Sequence, residues 1–339
     1  MIMRLFGFAG LLLALLPGIA QAAPPPNVVE AAKREGKLIW WTSGSATDTR
    51  ALIKKFNERY PFVQVESWTA SGEDASEKIW AEHNANRHAW DVSLGADIQL
   101  HYDEWVKRGI VDKLPADGLK QLPARAKDPN GYWAQMGGNV TVPAYNTTLV
   151  SAKDAPKSWD DLLLPKWKGK LGLHIDPRMW QVLSQPEGWG KEKVVSYVTR
   201  LAQNKPQLIR SNTQNVALLL AGEFPIAVNV FLYRVLQYKS KGAPVEWSRV
   251  NPVVISGSAF IKSKKGPNPN AGYLWLDWIF SAEGVKAVDE LTFKGSPFPG
   301  SGTSQSEAIK GLGYVVRDGD YYGKTQDFGR QLQKILGVF

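Results

Sequence analysis

Apolar positions change their spacing several times along the chain, and each change marks an element. Residues 37–41 form a compact apolar run without helical periodicity, which predicts a buried strand. After Ser43, Gly44 and Ser45, the residues Leu52, Ile53, Phe56 and Tyr60 recur on one helical face, so 47–60 reads as a helix that Pro61 stops. The alternation continues with a strand at 63–65, a helix over 74–85, a strand at 90–94 and a helix over 98–107. A helix over 27–35 precedes this series, behind the spacer Pro24, Pro25 and Pro26.

A second alternating segment begins after Tyr145. It predicts strands at 171–175, 207–210 and 225–230, interleaved with helices at 177–183, 194–203 and 214–221. The stretch 253–261 reads as one long extended run returning the chain to the first segment, where helices over 272–280 and 282–291 would pack. A last helix is expected at 325–336. Strands alternating with helices define an α/β architecture with helices on both sheet faces.

The N-terminus follows a different rule. Arg4 is followed by an almost wholly apolar run from Leu5 to Leu16, then by Pro17-Gly18 and the small-residue exit Ala20-Gln21-Ala22. That order is expected of a secretory signal over 1–22. The run is also shorter than the roughly 20 residues a membrane span requires. Removing the first 22 of 339 residues leaves 317, enough for two lobes with separate cores. With no cysteine in the sequence, no lipid anchor of the lipoprotein kind is expected, which suits a protein free in the periplasm of a Gram-negative cell.

Without Arg4 the formal charge is +8, which favours anionic ligands or acidic surfaces. The basic residues are scattered and no nucleic-acid-binding motif is present, so a nucleic-acid partner is not expected. Nor is catalysis. His83, His88, His101 and His174 form no His-Glu-x-x-His motif, and neither a Gly-x-Ser-x-Gly elbow nor a Walker-type loop occurs.

Several segments resemble the extracellular solute-binding proteins of ABC importers, in the branch that takes ferric iron, sugar phosphates, phosphonates, thiamine and polyamines. They are the strand-to-loop run from Lys37 to Gly44, Trp90-Asp91-Val92-Ser93-Leu94, and Gly109-Ile110-Val111-Asp112-Lys113-Leu114. Pro156-Lys157-Ser158-Trp159-Asp160-Asp161-Leu162 follows, leading into Pro165-Lys166-Trp167-Lys168-Gly169-Lys170, and then Leu276-Asp277-Trp278-Ile279-Phe280-Ser281-Ala282-Glu283-Gly284. The resemblance implies the type II periplasmic binding protein fold: two α/β lobes joined by crossover strands, closing on a ligand by a hinge movement. On that plan the first lobe holds 23–140 and 256–300, the second 141–255, and 301–339 joins one of them. The partners it implies are a small-molecule ligand and a permease-ATPase complex in the inner membrane, with the receptor itself a monomer that needs no cofactor.

The resemblance breaks at the iron ligands. The paired tyrosines of the ferric-iron members fall on Phe231 and Leu232, which offer a hard cation no oxygen. The histidine of the first loop falls near Ser45, and the acidic ligand near Ala96, with Asp97 the nearest substitute. A variant iron site would draw on Tyr145, Tyr233 and Asp97 and is the second reading; a polyamine or thiamine receptor is a further one. The first is a small, oxygen-rich anion, with no resident metal.

In such sheets ligands gather at the carboxyl ends of strands, beside helix N-termini with free N–H groups. The residues in that position are Trp41, Thr42, Ser43, Gly44 and Ser45, together with Asp97, on the first lobe. On the second they are Asp176, Arg178 and Trp180, then Asn212, Thr213 and Gln214, then Asn229 and Tyr233. Arg178 suits a carboxylate or phosphate through paired hydrogen bonds, with Asp176 available to fix it. Tyr233, Trp41 and Trp180 would stack on a ring or sugar face. Ser45 and the 211–214 segment also suit plain helix capping.

Overall fold

The computed structural model describes residues 23–95, 98–120 and 122–338. The expected signal at 1–22 and Asp97 lie outside the described residues. Strands in chain order are β1 (Lys37–Thr42), β2 (Gln64–Thr69), β3 (Val92–Leu94), β4 (Val111–Asp112), β5 (Asn139–Asn146) and β6 (Leu171–His174). They continue with β7 (Gln207–Ile209), β8 (Ile226–Phe231), β9 (Val245–Trp247), β10 (Val253–Ser256), β11 (Phe260–Ser263) and β12 (Tyr314–Val316).

They form two sheets. The first runs β2-β1-β3-β11-β4, with β1 parallel to β2 and β3, and β11 antiparallel to β3 and β4. The second runs β12-β10-β5-β8-β6-β7, with β9 added on β5. Helices Ala46–Arg59, Pro269–Ile279 and Ala282–Thr292 close the first core, where Trp40, Phe56, Trp275 and Trp278 pack together. The ring centroids of Trp40 and Trp275 are 4.5 Å apart, and those of Phe56 and Trp275 4.9 Å. Burying each such side chain stabilises the lobe by about 2–3 kcal/mol. The second core centres on Trp159, Trp180 and Tyr197. No helix among the described residues is long and apolar enough to cross a membrane.

The expected continuous run 253–261 is in fact two strands in different sheets. β10 pairs with β5 in the second, while β11 pairs with β3 and β4 in the first. Between them 257–259 carries the chain across, beside the outgoing segment 135–138. Ala134 bridges Phe260 on one side of this crossing, and Asn139 pairs with Ser256 on the other. Periodicity shows that the run is extended but not that it changes partners.

β5 itself is absent from the sequence-based elements. Pro143 interrupts it, and the register with β8 shifts between Val142 and Ala144. A proline and a bulge hide a strand from pattern reading. The tail belongs with the second sheet: β12 runs parallel to β10, and helix Gln326–Ile335 buries Phe328 and Leu332 in the second core. Between them the short helix Gly319–Gly323 lies against helix Ile98–Lys107 of the first lobe.

Candidate functional site

The two sheets point their strand ends into a cavity of about 610 Å³ between the lobes. On the first lobe its wall is the end of β1, Thr42, Ser43 and Gly44, with Ser71 to Glu73 at the N-terminus of helix Gly72–Asn84. Thr42 Oγ1 accepts from the Gly44 N–H at 3.0 Å, which bends the chain away from the strand. A Cβ on Gly44 would stand 3.1 Å from Thr49 Oγ1 and 3.2 Å from Thr42 Oγ1, so glycine lets two hydroxyls converge there.

The second-lobe wall comes from His174, Asp176, Arg178, Asn212, Asn229 and Tyr233. Asn229 holds the end of β6 in both directions: its Oδ1 accepts from His174 N–H and its Nδ2 donates to His174 O, each at 2.8 Å. Asn212 Nδ2 donates to Asn229 O at 3.1 Å, so these two asparagines frame the wall. Asp176 is turned to Arg178, taking its backbone N–H at 2.9 Å and its Nε at 2.7 Å, with Nη2 also in contact. Burial pushes the Asp176 carboxyl up, but the charge and hydrogen bonds of Arg178 outweigh it and hold the group below its usual range.

Not every candidate faces the cavity. Trp41 lies on the opposite face of β1 from Trp40, against Trp68 and Trp90, because strand side chains alternate. Trp40, its neighbour, reaches the cavity wall instead. Ser45 caps helix Ala46–Arg59 by accepting from Asp48 N–H at 3.1 Å. Trp180 is fully buried against Trp159 and Tyr197, since residues two apart on a helix point to different faces. Thr213 and Gln214 stay on the exposed side of helix Asn212–Ala221, where Thr213 Oγ1 meets Arg234 Nη2 at 3.4 Å. Tyr145 sits in the second core, and burial raises its phenol, which disfavours the tyrosinate a ferric ion needs. Among the described residues no group of three or more His, Cys, Asp or Glu side chains gathers as if to hold a metal ion.

The structure also adds residues that sequence reasoning missed. Lys294 lines the floor with its Nζ 3.0 Å from Asp48 Oδ2 of the first lobe and 4.8 Å from the ring centroid of Tyr233 of the second. Arg317, Tyr322 and Arg330 enter from the C-terminal segment. Arg317 stands at the end of β12, a strand that periodicity did not predict, and Lys294, Tyr322 and Arg330 belong to no recognised motif, so composition and spacing held no signal for them.

His174 carries a pH consequence. Burial lowers its imidazole pKa; Asp176 opposes and Arg178 assists. The folded state therefore favours neutral imidazole, and this stabilisation is complete above the unfolded value of about 6.5 and lost as pH falls through the folded one. Melting curves at pH 7.5 and 5.0 are expected to show a larger acid loss for the wild type than for His174→Gln; equal losses would remove His174 from the account.

With cleft and cores in place, relatives become informative. The chain belongs to the bacterial extracellular solute-binding proteins, whose family model matches residues 51–310. Its architecture is that of type II periplasmic binding proteins. The substrate binding protein of the ABC transporter from Agrobacterium tumefaciens superposes at a TM-score of 0.74 and 14% identity, covering 88% of this chain and 94% of that one. Iron-bound HitA from Pseudomonas aeruginosa gives 0.68 at 18% identity over 89% and 99% of the two chains. AfuA from Actinobacillus pleuropneumoniae, with exogenous fructose-6-phosphate bound, gives 0.66 at 21% over 89% and 97%. These neighbours share its fold, and the chain itself is an extracellular solute-binding protein.

Proposed function

We propose that this protein is exported by its first 22 residues, remains free of a lipid anchor, and acts as a monomeric periplasmic receptor for a small oxygen-rich anion. A sugar phosphate, a phosphonate or an organic acid fits this description. The loaded receptor delivers its solute to a permease-ATPase complex and performs no chemistry on it. The observation that carries the reading is the charge of the cavity wall. Four cations, Arg178, Lys294, Arg317 and Arg330, stand there against three carboxylates, Asp48, Glu73 and Asp176. The N-terminus of helix Gly72–Asn84 adds partial positive charge to the same wall. AfuA, which was solved with a sugar phosphate, has the same fold. A ferric site is disfavoured because Lys294 lies over the ring of Tyr233 and Tyr145 is outside the cavity.

Thermal unfolding of the chain from Ala23 onward, against sugar phosphates, phosphonates, organic acids, ferric citrate, thiamine and polyamines, tests this. A ligand at 100 times its dissociation constant stabilises the native state by about 2.7 kcal/mol. A shift confined to one anionic class is expected. A shift with ferric salt alone, or with polyamines, overturns the anion reading.

A further inference from the structure

We propose that the base of the second lobe is a docking face that adheres reversibly to anionic phospholipid. This role lies beyond solute capture and does not depend on which solute the cleft takes. β6 runs parallel to β7 and β8, and the carboxyl ends of β6 and β8 reach the cavity at His174 and Phe231. The amino ends of all three strands therefore form the end of the lobe turned away from the cleft. Three chain segments are joined there. Lys166 Nζ donates to Asp154 O at 3.2 Å, which ties 149–154 to 164–170. Gly169 N–H donates to Asn204 O at 2.7 Å, which ties 164–170 to 204–205.

These segments carry five exposed lysines: Lys153, Lys166, Lys168, Lys170 and Lys205. Lysines elsewhere are engaged by carboxylates, as Lys33 is by Glu30, Lys55 by Glu58 and Lys120 by Asp117. Among the described residues no carboxylate pairs with any of these five. The acidic groups nearby are Asp154, Asp160, Asp161 and Glu223. Asp161 is taken up by the N–H groups of Lys157 and Ser158, at 2.8 and 3.0 Å, and Asp160 faces Arg200 at 3.9 Å. Lys205 also has a φ of 50°, where glycine is the relaxed choice. Its charge therefore contributes nothing to the turn that holds it.

Two leucines join the lysines. Leu149 is 53% exposed and Leu164 43%, the highest values for large apolar side chains among the described residues. Ammonium groups on flexible stems suit phosphates spread over a plane, and exposed leucines suit the apolar layer beneath. An acidic protein partner would call for a central aromatic or arginine anchor. The exposed large aromatic among the described residues, Trp68, lies instead on β2 of the first lobe. Adhesion through the base leaves the cleft facing away from the lipid, and it needs no covalent anchor.

Co-sedimentation of the chain from Ala23 onward with vesicles, without solute, tests the assignment. Binding is expected to vesicles of mixed phosphatidylglycerol and phosphatidylcholine, not to phosphatidylcholine alone, and to weaken in about 0.5 M salt. K168Q/K170Q should weaken it about 25-fold, at roughly fivefold for each lysine near an anionic surface. K54Q/K107Q removes the same charge from first-lobe helices and should stay within about twofold of wild type. K205G should lose about fivefold while its melting midpoint stays within about 2 °C of wild type. L149S/L164S should lose about tenfold. Melting curves check that every variant folds. No preference of the wild type for phosphatidylglycerol overturns the proposal. So does an equal loss in the two lysine pairs, which would make net charge the cause. Binding to soluble polyglutamate with none to vesicles overturns the lipid assignment in favour of an acidic protein face.

Discussion

Replacing Gly137 with alanine is expected to destabilise the protein by about 3 kcal/mol, the upper part of the range for forcing atoms into a packed interior. A Cβ on Gly137 would overlap the carbonyl oxygen of Lys294, and the Lys294 carbonyl carbon would be 3.3 Å away. The obstacle is backbone, so no rotamer change relieves it. A Cβ on Gly257, on the opposite crossing segment, would in turn meet Gly137 O at 3.0 Å and Gln135 Oε1 at 2.5 Å. The crossings between the lobes thus pack backbone to backbone, and Lys294 takes its position on the cavity floor from that contact. Urea unfolding of Gly137→Ala should show the loss, and anion affinity should fall with it because Lys294 is displaced. A change in stability below about 0.5 kcal/mol would mean that the crossings have slack and do not set the floor.

Asp91→Ala is expected to cost about 4 kcal/mol, for a reason independent of the ligand. Asp91 is 1% exposed and accepts three hydrogen bonds. They come from Ile39 N–H at 2.8 Å, Asn268 N–H at 2.7 Å and Asn268 Nδ2 at 2.9 Å. The carboxylate thereby ties β1 to the start of helix Pro269–Ile279. Burial raises its carboxyl above the usual range, and these donors offset that only in part. Alanine would leave the donors buried without partners, at about 1–3 kcal/mol for each group. Asparagine should rescue little, since one acceptor becomes an NH₂ facing N–H donors. Denaturant unfolding of Asp91→Ala and Asp91→Asn checks this; an alanine variant within about 1 kcal/mol of wild type would mean water replaces the carboxylate.

Asp91 stands in one of the segments that carried the family resemblance, and it shows what such a motif encodes. Its signal was structural, since the residue fixes β1 and reaches no ligand site. Thr42, Ser43 and Gly44, at the end of that same β1, do reach the cavity, as do Asp176, Arg178, Asn212, Asn229 and Tyr233. These were legible because strand ends and helix starts are local in sequence and their small or polar residues are distinctive. Trp41 and Trp180 were misplaced by a single choice of face, which a run of consecutive apolar residues leaves undecided. Side-chain direction there is settled by packing partners far away in the chain, such as Trp68 for Trp41 and Tyr197 for Trp180.

The sequence by itself determined the alternation of strands and helices, the two-segment organisation and the kinship with solute-binding proteins, because period, length and turn chemistry are short-range properties. Only the tertiary structure decided that 253–261 changes sheets, that the tail from Tyr314 joins the second sheet, and that Lys294 and Arg317 line the cleft. Each of these depends on which backbones meet across long separations: Gly137 with Lys294, and Arg317 with Ile255. Such meetings are fixed by close packing of the crossing segments, whose steric fit leaves no periodic trace along the chain.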